Sequence, residues 1–321
     1  MSDENWQLYH GDGTPRQVLL PEAPPWRRFG GAVERERTLD GTADPRAALF
    51  QTTPEMVDAV NAALHLRRPL LLTGRAGSGK SSLIESVAAE LILGRVVRWH
   101  VTSSSTLRDA LYRYDALGRL QEHQLTQRAP GISSYLRLGP LGTALLPTSR
   151  PRALLVDEID KSAADLPSDL LNVLEQGEFE IPELARLADP RAEVREDGGD
   201  ERFPIVNGKV QCAEFPFVVM TSNGERDFPP PFLRRCIQYR MPEPTPEMLQ
   251  RIVEAHLGKA TATEAADLIK DFAARSLRNR AQATDQLLNA IYVVTGEVAP
   301  QADNQARVVE MLLKALEGDR L

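Results

Sequence analysis

The chain has 321 residues, 42% of them hydrophobic and 26% charged, with a net charge of −7 at neutral pH. This is the balance of an ordinary globular protein with room for two modest domains, and the acidic surplus argues against a primary nucleic-acid binder, although a local basic patch can hide within it. Two cysteines, Cys212 and Cys236, imply no disulfide framework, and no apolar run approaches the roughly 20 residues that span a bilayer.

The opening MSDENWQLYHGDG is acidic and polar and does not read as a signal peptide, so a cytoplasmic location without membrane contact is expected. Residues 1–49 are rich in Pro, Gly and Arg and read as an extended arm, with a separate disordered tail as the alternative. Trp6 and Trp26 in this arm are costly to leave bare and are expected to pack on a neighbour. TTPEMVDAVNAALHL reads as a helix: Thr52 or Thr53 caps it, Pro54 suits its first turn, and Met56, Val57, Val60, Ala63 and Leu64 share one face.

Five β-like runs follow: PLLLT (69–73), RVVRWHV (95–101), ALLVDE (153–158), FVVMTS (217–222) and CIQYRM (236–241). Three are nearly continuous in apolar residues, as expected of strands buried on both faces. Their alternation with helical segments predicts an α/β fold, a doubly wound five-stranded parallel sheet. LADPRAEVREDGGDERF is charged and glycine-bearing and reads as a mobile loop. From Pro244 onward four helical patterns follow with no strand between them, which predicts a small all-α lid lobe. The expected division is thus an arm over 1–49, an α/β domain with inserts over 50–243, and a helical lid over 244–321.

GRAGSGKS, Gly74 to Ser81, directly follows the first strand and opens an amphipathic helix, and it fits the phosphate-loop pattern. Its glycines let successive backbone N–H groups turn inward as an anion nest, and the helix N-terminus adds partial positive charge. Gly74, Arg75, Ala76, Gly77, Ser78, Gly79, Lys80, Ser81 and Ser82 are the expected nucleotide contacts. Lys80 would reach the β- and γ-phosphates, and the Ser81 hydroxyl would ligate Mg²⁺.

ALLVDEIDK ends an apolar strand in two carboxylates, at the edge where an α/β sheet opens onto its ligand. Asp157 suits the Mg²⁺ shell through water, and Glu158 can polarise an attacking water. Asp160 and Lys161 read as an exposed pair. At the next strand end, Asn223 of MTSN can orient that water and sense the γ-phosphate. FPPPFLRRC carries Arg234 and Arg235, either surface charges or a finger into a neighbouring subunit's nucleotide. SLRNR offers Arg278 or Arg280 as a clamp from the lid.

In this order GRAGSGKS, LLVDEID, TSN, FLRR and SLR resemble the AAA+ ATPases over residues 50–321, and most closely the MoxR branch, which carries GxPGxGKT, a DEINR-like box, a TxNP-like strand, a DRF element and an SPR motif. The resemblance implies a P-loop NTPase of AAA+ type that uses ATP and Mg²⁺, with Glu158, Asn223, Arg235 as finger and Arg278 as lid sensor in the catalytic set, and Ser81 and Asp157 at the metal. The departures are Arg234 for the usual Asp before the finger, DEIDK for DEINR, Gly224 rather than Pro after Asn223, and Leu277 where Pro is usual. LRRPLLLTG, YRYDALGRLQ and LNVLEQGEFEIPELAR are similar to a bacterial subgroup associated with conflict or defence systems, whose partners often contain von Willebrand factor A domains.

Residues 102–150 and 178–216 leave room for inserts that line the pore in related rings, or for plain decoration. The first contains TLRDALYRYDALGRL, a helical pattern. In the second, Asn207-Gly208 favours a two-residue type I′ turn, so IVNGKVQ is expected to be a hairpin. A finger on the far side of the domain cannot reach its own γ-phosphate, so a homo-oligomeric ring, a hexamer, is expected. Its function would be to remodel a protein partner; a slow ATP-gated assembly switch is the alternative, and a nucleic-acid motor a weaker third.

Overall fold

The computed structural model describes residues 6–36, 45–127, 131–278, 283–296 and 300–314. In chain order, α1 (Pro54–Leu66), β1 (Leu70–Thr73), α2 (Lys80–Glu90) and β2 (Val97–His100) come first. An insert follows, made of α3 (Leu107–Leu111), β3 (Tyr112–Tyr114), α4 (Ala116–Thr126), β4 (Leu136–Leu138) and α5 (Pro140–Ala144). Then come β5 (Ala153–Asp157) and α6 (Leu166–Gln176), and a second insert of β6 (Glu178–Glu180), α7 (Pro182–Ala185), β7 (Arg191–Arg195), β8 (Arg202–Val206) and β9 (Lys209–Gln211). The sheet resumes with β10 (Phe217–Ser222), α8 (Pro230–Leu233) and β11 (Ile237–Arg240). The last described elements are α9 (Pro246–Leu257), α10 (Lys259–Glu264), α11 (Ala266–Arg278), α12 (Thr284–Thr295) and α13 (Ala302–Lys314).

The central sheet has five parallel strands in the order β11-β1-β10-β5-β2. Strand side chains alternate between its two faces. Leu70 and Leu72, Ala153 and Leu155, and Phe217 and Val219 pack with Met56, Val60, Ile84 and Val87 of α1 and α2. Leu71, Leu154, Val156, Val218 and Met220 pack on the other face with α6 and the inserts. Both faces are covered, which is why these strands read as unbroken apolar runs rather than alternating ones. The expected doubly wound α/β sheet is therefore present. Thr53 is the residue that caps α1, its hydroxyl accepting from Met56 N at 3.3 Å.

The two inserts come together as a second sheet, in the order β3-β4-β7-β8-β9-β6. Asn207 (φ 54°) and Gly208 (φ 69°) link β8 to β9 with two left-handed residues, as the expected hairpin requires. Two expectations are corrected here. TLRDALYRYDALGRL is not one helix: Tyr112 turns extended (φ −161°, ψ 161°) and β3 interrupts it. Tyr112 is buried and Arg113 exposed, so the strand period overrides the helical one. The stretch 187–203 is not a mobile loop either, because Ala192 and Val194 on β7 and Phe203 and Ile205 on β8 bury one face of an antiparallel pair. Alternation hidden among charges carries that hairpin.

The arm lies along the domain. The Asn61 side chain accepts from Leu8 N and Tyr9 N and donates to Tyr9 O, a strand-like clasp made by one amide. The fully buried Glu90 carboxylate accepts from His10 N at 2.6 Å, Gly11 N at 3.0 Å and Arg16 Nη1 at 2.6 Å. Further along, the buried Arg27 guanidinium donates to the carbonyls of Arg67, Leu174 and Glu175 and lies over the rings of Phe29 and Phe215. Trp6 stacks on His65 with centroids 4.6 Å apart, as expected, but Trp26 is 72% exposed and stacks on no aromatic ring among the described residues. Replacing Glu90 with alanine is expected to cost roughly 1.5–3 kcal/mol, because it takes the acceptor from the His10, Gly11 and Gly13 amides and leaves Arg16 with Asp12 as its one carboxylate partner among the described residues. Urea unfolding measures this, and an unchanged midpoint would mean the arm contributes nothing there.

Beyond β11 the chain is helical, with Leu249, Val253, Ile269, Phe272, Leu287 and Ile291 forming a core of their own. The stretch ATEAADLIKDFAARSL does not make one helix; it is divided between α10 and α11 at Ala265, giving five helices here rather than four among the described residues. Burial pushes both thiols, Cys212 and Cys236, up to about 12, so neither is a nucleophile at neutral pH.

Candidate active site

In a parallel sheet every strand ends at the same edge. Here that edge carries His100, Asp157, Asn223 and the loop that begins at Gly74. Gly77 and Gly79 hold φ of 71° and 84°, the left-handed region that lets the loop curl without a side-chain penalty. A Cβ on Gly77 would also strike Ala283 at 2.1 Å, so the loop and the start of α12 touch backbone to backbone. Thr284 N donates to Gly77 O at 3.4 Å across the same contact.

Lys80, the first residue of α2, is buried, and its Nζ donates to Gly74 O at 2.8 Å, Arg75 O at 2.7 Å and Asn223 Oδ1 at 2.8 Å. Burial pushes its amine below the ordinary lysine value, while the charges of Asp160, Asp157 and Glu158 pull it back up. Ser81 Oγ donates to Asp157 Oδ1 at 2.9 Å, and Thr221 Oγ1 donates to the same oxygen at 2.6 Å. Glu158 follows in a left-handed backbone conformation (φ 58°, ψ 48°), its N–H donating to Thr221 Oγ1 at 2.9 Å. That turn redirects the chain so that adjacent carboxylates do different things. Glu158 Oε2 lies 2.9 Å from Lys161 Nζ and 3.7 Å from His100 Nε2.

The expected exposed pair at 160 and 161 is half right. Lys161 is exposed, but Asp160 is buried, and its Oδ2 accepts from Asn223 N at 2.9 Å and Glu225 N at 3.1 Å. A buried carboxylate at this position fixes the main chain that carries the Asn223 side chain. Sequence reasoning missed this, and it missed Thr221. The signal for Thr221 was the first hydroxyl after an apolar run, one step before the strand end.

Arg75 ties the loop to the helical lobe. Its Nη1 donates to Glu243 Oε2 at 2.8 Å and to Ser276 O at 2.9 Å, the latter near the carbonyl end of α11, where a cation is favourable. Arg278 is the last residue of α11; its side chain, and all of Arg280, lie outside the described residues. Arg235 is not in this cluster. It stands before β11, at the edge of the sheet opposite the loop, where Nε meets Glu175 Oε1 at 3.0 Å and Nη1 donates to Pro231 O. Arg234 beside it is exposed.

A cavity of about 650 Å³ opens between the loop and the lobe, walled by Phe50, Met248, Ile252 and Leu288 and floored by Ser78 and Ser81. That size and its apolar walls suit a nucleoside. The loop's own chemistry suits its phosphates: Ser78 Oγ is buried with no hydrogen-bond partner among the described residues, and the Ser81–Asp157 pair supplies hard oxygen donors. Among the described residues no group of three or more His, Cys, Asp or Glu side chains could hold a metal alone, so a hard cation here would draw its other ligands from phosphate and water. Among the described residues no helix is long and apolar enough to cross a membrane.

A family model described as AAA domain (dynein-related subfamily) matches residues 69–236. No curated protein matches the chain. Among solved structures the chain is similar to domain III of the Thermotoga maritima replication initiation protein DnaA, at 14% identity and a TM-score of 0.40 over 85% of this chain and 99% of that one. It is also similar to the S. cerevisiae Hsp104–ADP complex, at 16% identity and a TM-score of 0.45 over 83% of this chain. The alignment covers 48% of that Hsp104 chain, about half its length.

Proposed function

Because the chain belongs to the AAA domain family, dynein-related subfamily, and is an ATPase of that type, we propose that it hydrolyses ATP within a ring of its own copies and uses the cycle to remodel a protein partner. The observation that supports this best is the join at the sheet edge, where Ser81 meets Asp157 at 2.9 Å and Lys80 meets Asn223 at 2.8 Å. Lys80 and the loop amides from Gly74 to Ser82 bind the phosphates. Ser81 and Asp157 would hold Mg²⁺, which would neutralise phosphate charge there. Glu158 takes the proton of the attacking water, and Asn223 orients that water. Arg278 is the lid sensor in this reading, by its place in the SLR motif.

The place of Arg235 supports the ring. Arg235 is separated from the end of β11 by five residues, roughly 16 Å of extended chain, which is beyond the reach of an arginine side chain. As a finger, Arg235 would therefore serve a neighbour's site. Residues 50–243 then act as the nucleotide-binding unit and 244–321 as the lid, with Arg75 passing loop movement to it. The MoxR-like motifs support a six-membered ring and a partner with a von Willebrand factor A domain in a bacterial defence system. Light scattering with ATP tests the assembly: a species of several protomers is expected, and a lone protomer at every concentration would overturn the ring.

One observation favours a slower, switch-like reading. The Glu158 carboxylate is held by Lys161 at 2.9 Å, and this hydrogen bond pushes the Lys161 amine up. That ion pair must open before the carboxylate can turn to the attacking water. Lys161→Ala is therefore expected to raise kcat by up to about fivefold, the scale of a half-exposed pair. Unchanged turnover in steady-state assays would remove the support for slow gating.

A further inference from the structure

The register of the second sheet sets four arginines side by side. Arg113 on β3 lies opposite Arg137 on β4, Arg137 opposite Arg195 on β7, and Arg195 opposite Arg202 on β8. Residues directly opposite in a sheet share a face, so the four form one row across four strands. The alternate residues Tyr112, Leu138, Val194 and Phe203 are buried, so the row faces outward. Arg113 and Arg137 are exposed, and the Arg195 side chain is 41% exposed. No acidic residue interrupts the row. Like charges directly opposite destabilise a sheet, so the fold keeps this row against its own stability, in a chain whose net charge is −7.

We propose that this row is a docking surface for an extended, acidic polypeptide segment of the protein partner. The inference rests on the remodelling role proposed above and adds the chemistry of its partner. Strand spacing makes the row about 14 Å long, and alternate side chains of an extended peptide recur about every 6.7 Å, so carboxylates at three alternate positions span it. Guanidinium groups suit carboxylates through paired N–H donors. One end already shows the fit: Asp200, 96% exposed on the β7–β8 turn, meets Arg195 at 3.5 Å. The same turn offers carbonyls to Arg137, from Glu196 at 3.2 Å and Gly199 at 3.5 Å. At the opposite end of the row Arg113 is exposed and makes no hydrogen bond or ion pair among the described residues. A nucleic-acid strand fits less well, because no strongly exposed aromatic ring lies in the row to stack bases and the net negative charge repels a long polyanion.

The test uses the full chain and a fluorescein-labelled nine-residue peptide of alternating Glu and Ser, read by anisotropy. A Lys/Ser peptide and an oligothymidylate of equal charge serve as comparisons. The wild type is expected to bind the acidic peptide, more weakly as salt rises. The double variant Arg113→Glu, Arg137→Glu is expected to bind it at least tenfold more weakly, with basal ATP turnover within twofold of wild type. The single variant Arg113→Gln should also weaken binding with no fall in Tm, since it relieves repulsion and breaks no hydrogen bond or ion pair among the described residues, which guards against a folding artefact. Equal peptide binding by wild type and double variant overturns the proposal, as does tighter binding of oligothymidylate through the same arginines. Absence of ATP turnover in the wild type would instead strike the proposed function and leave the peptide result to stand by itself.

Discussion

Replacing Arg234 and Arg235 together with alanine is expected to lower kcat by about 10³-fold or more while leaving nucleotide affinity within a few-fold, the range known for a finger acting on phosphoryl-transfer charge. The geometry separates the two effects. Both residues stand before β11, at the far edge of the sheet, so neither helps its own loop hold a nucleotide. Arg235→Ala alone is expected to reproduce the loss. Its partner Glu175 does not disqualify it, because both side chains are nearly half exposed and such a pair is worth about 1 kcal/mol at most. A loss with Arg234→Ala instead would move the role one residue back. Mixing an Arg235→Ala subunit with a Glu158→Gln subunit provides the test in trans. Each supplies what the other lacks at one interface, so partial turnover should return, and no recovery at any ratio would count against the shared site.

Glu158→Gln is expected to cut turnover about 10²–10⁴-fold, the range for a general base, with ATP binding retained. The amide keeps the shape of the side chain but cannot accept the proton. The Glu158 main chain donates to Thr221 and its side chain reaches Lys161, so the hydrogen bonds of Lys80 and Ser81, the proposed phosphate ligands, are untouched by the change. Single-turnover assays with labelled ATP read the step directly. Wild-type rates in this variant would remove Glu158 from the chemistry. Lys80→Ala separates the two stages, since it should weaken binding itself; unchanged ATP affinity there would contradict the loop assignment.

The parts of the molecule that were legible in sequence share one property, which is that short stretches determine them. GRAGSGKS carries its own strand, glycines and helix start, and the five core strands announce themselves because both faces of the sheet are covered. Asn207-Gly208 specified its turn locally. What escaped depends on long-range pairing. Asp160 looks solvated in the string DEIDK, and only the return of β10 beside β5 brings the Asn223 and Glu225 amides to it, 63 and 65 residues away. The β7–β8 hairpin was hidden because its outward positions are charged. Register alone aligns Arg113, Arg137, Arg195 and Arg202, since the four come from both inserts. Trp26 was misjudged for the opposite reason: a large apolar residue is favoured inside but not compelled there.

The clasp between Arg27 and the carbonyl of Glu175 joins residues 148 positions apart. At a synthesis rate of roughly 5–20 residues per second, about 7–30 s pass between the emergence of the one and of the other. During that interval Phe29 and Arg27 lack the surface that later receives them. The arm is therefore made well before the surface that receives it, and a factor that shelters nascent chains could hold it through that interval.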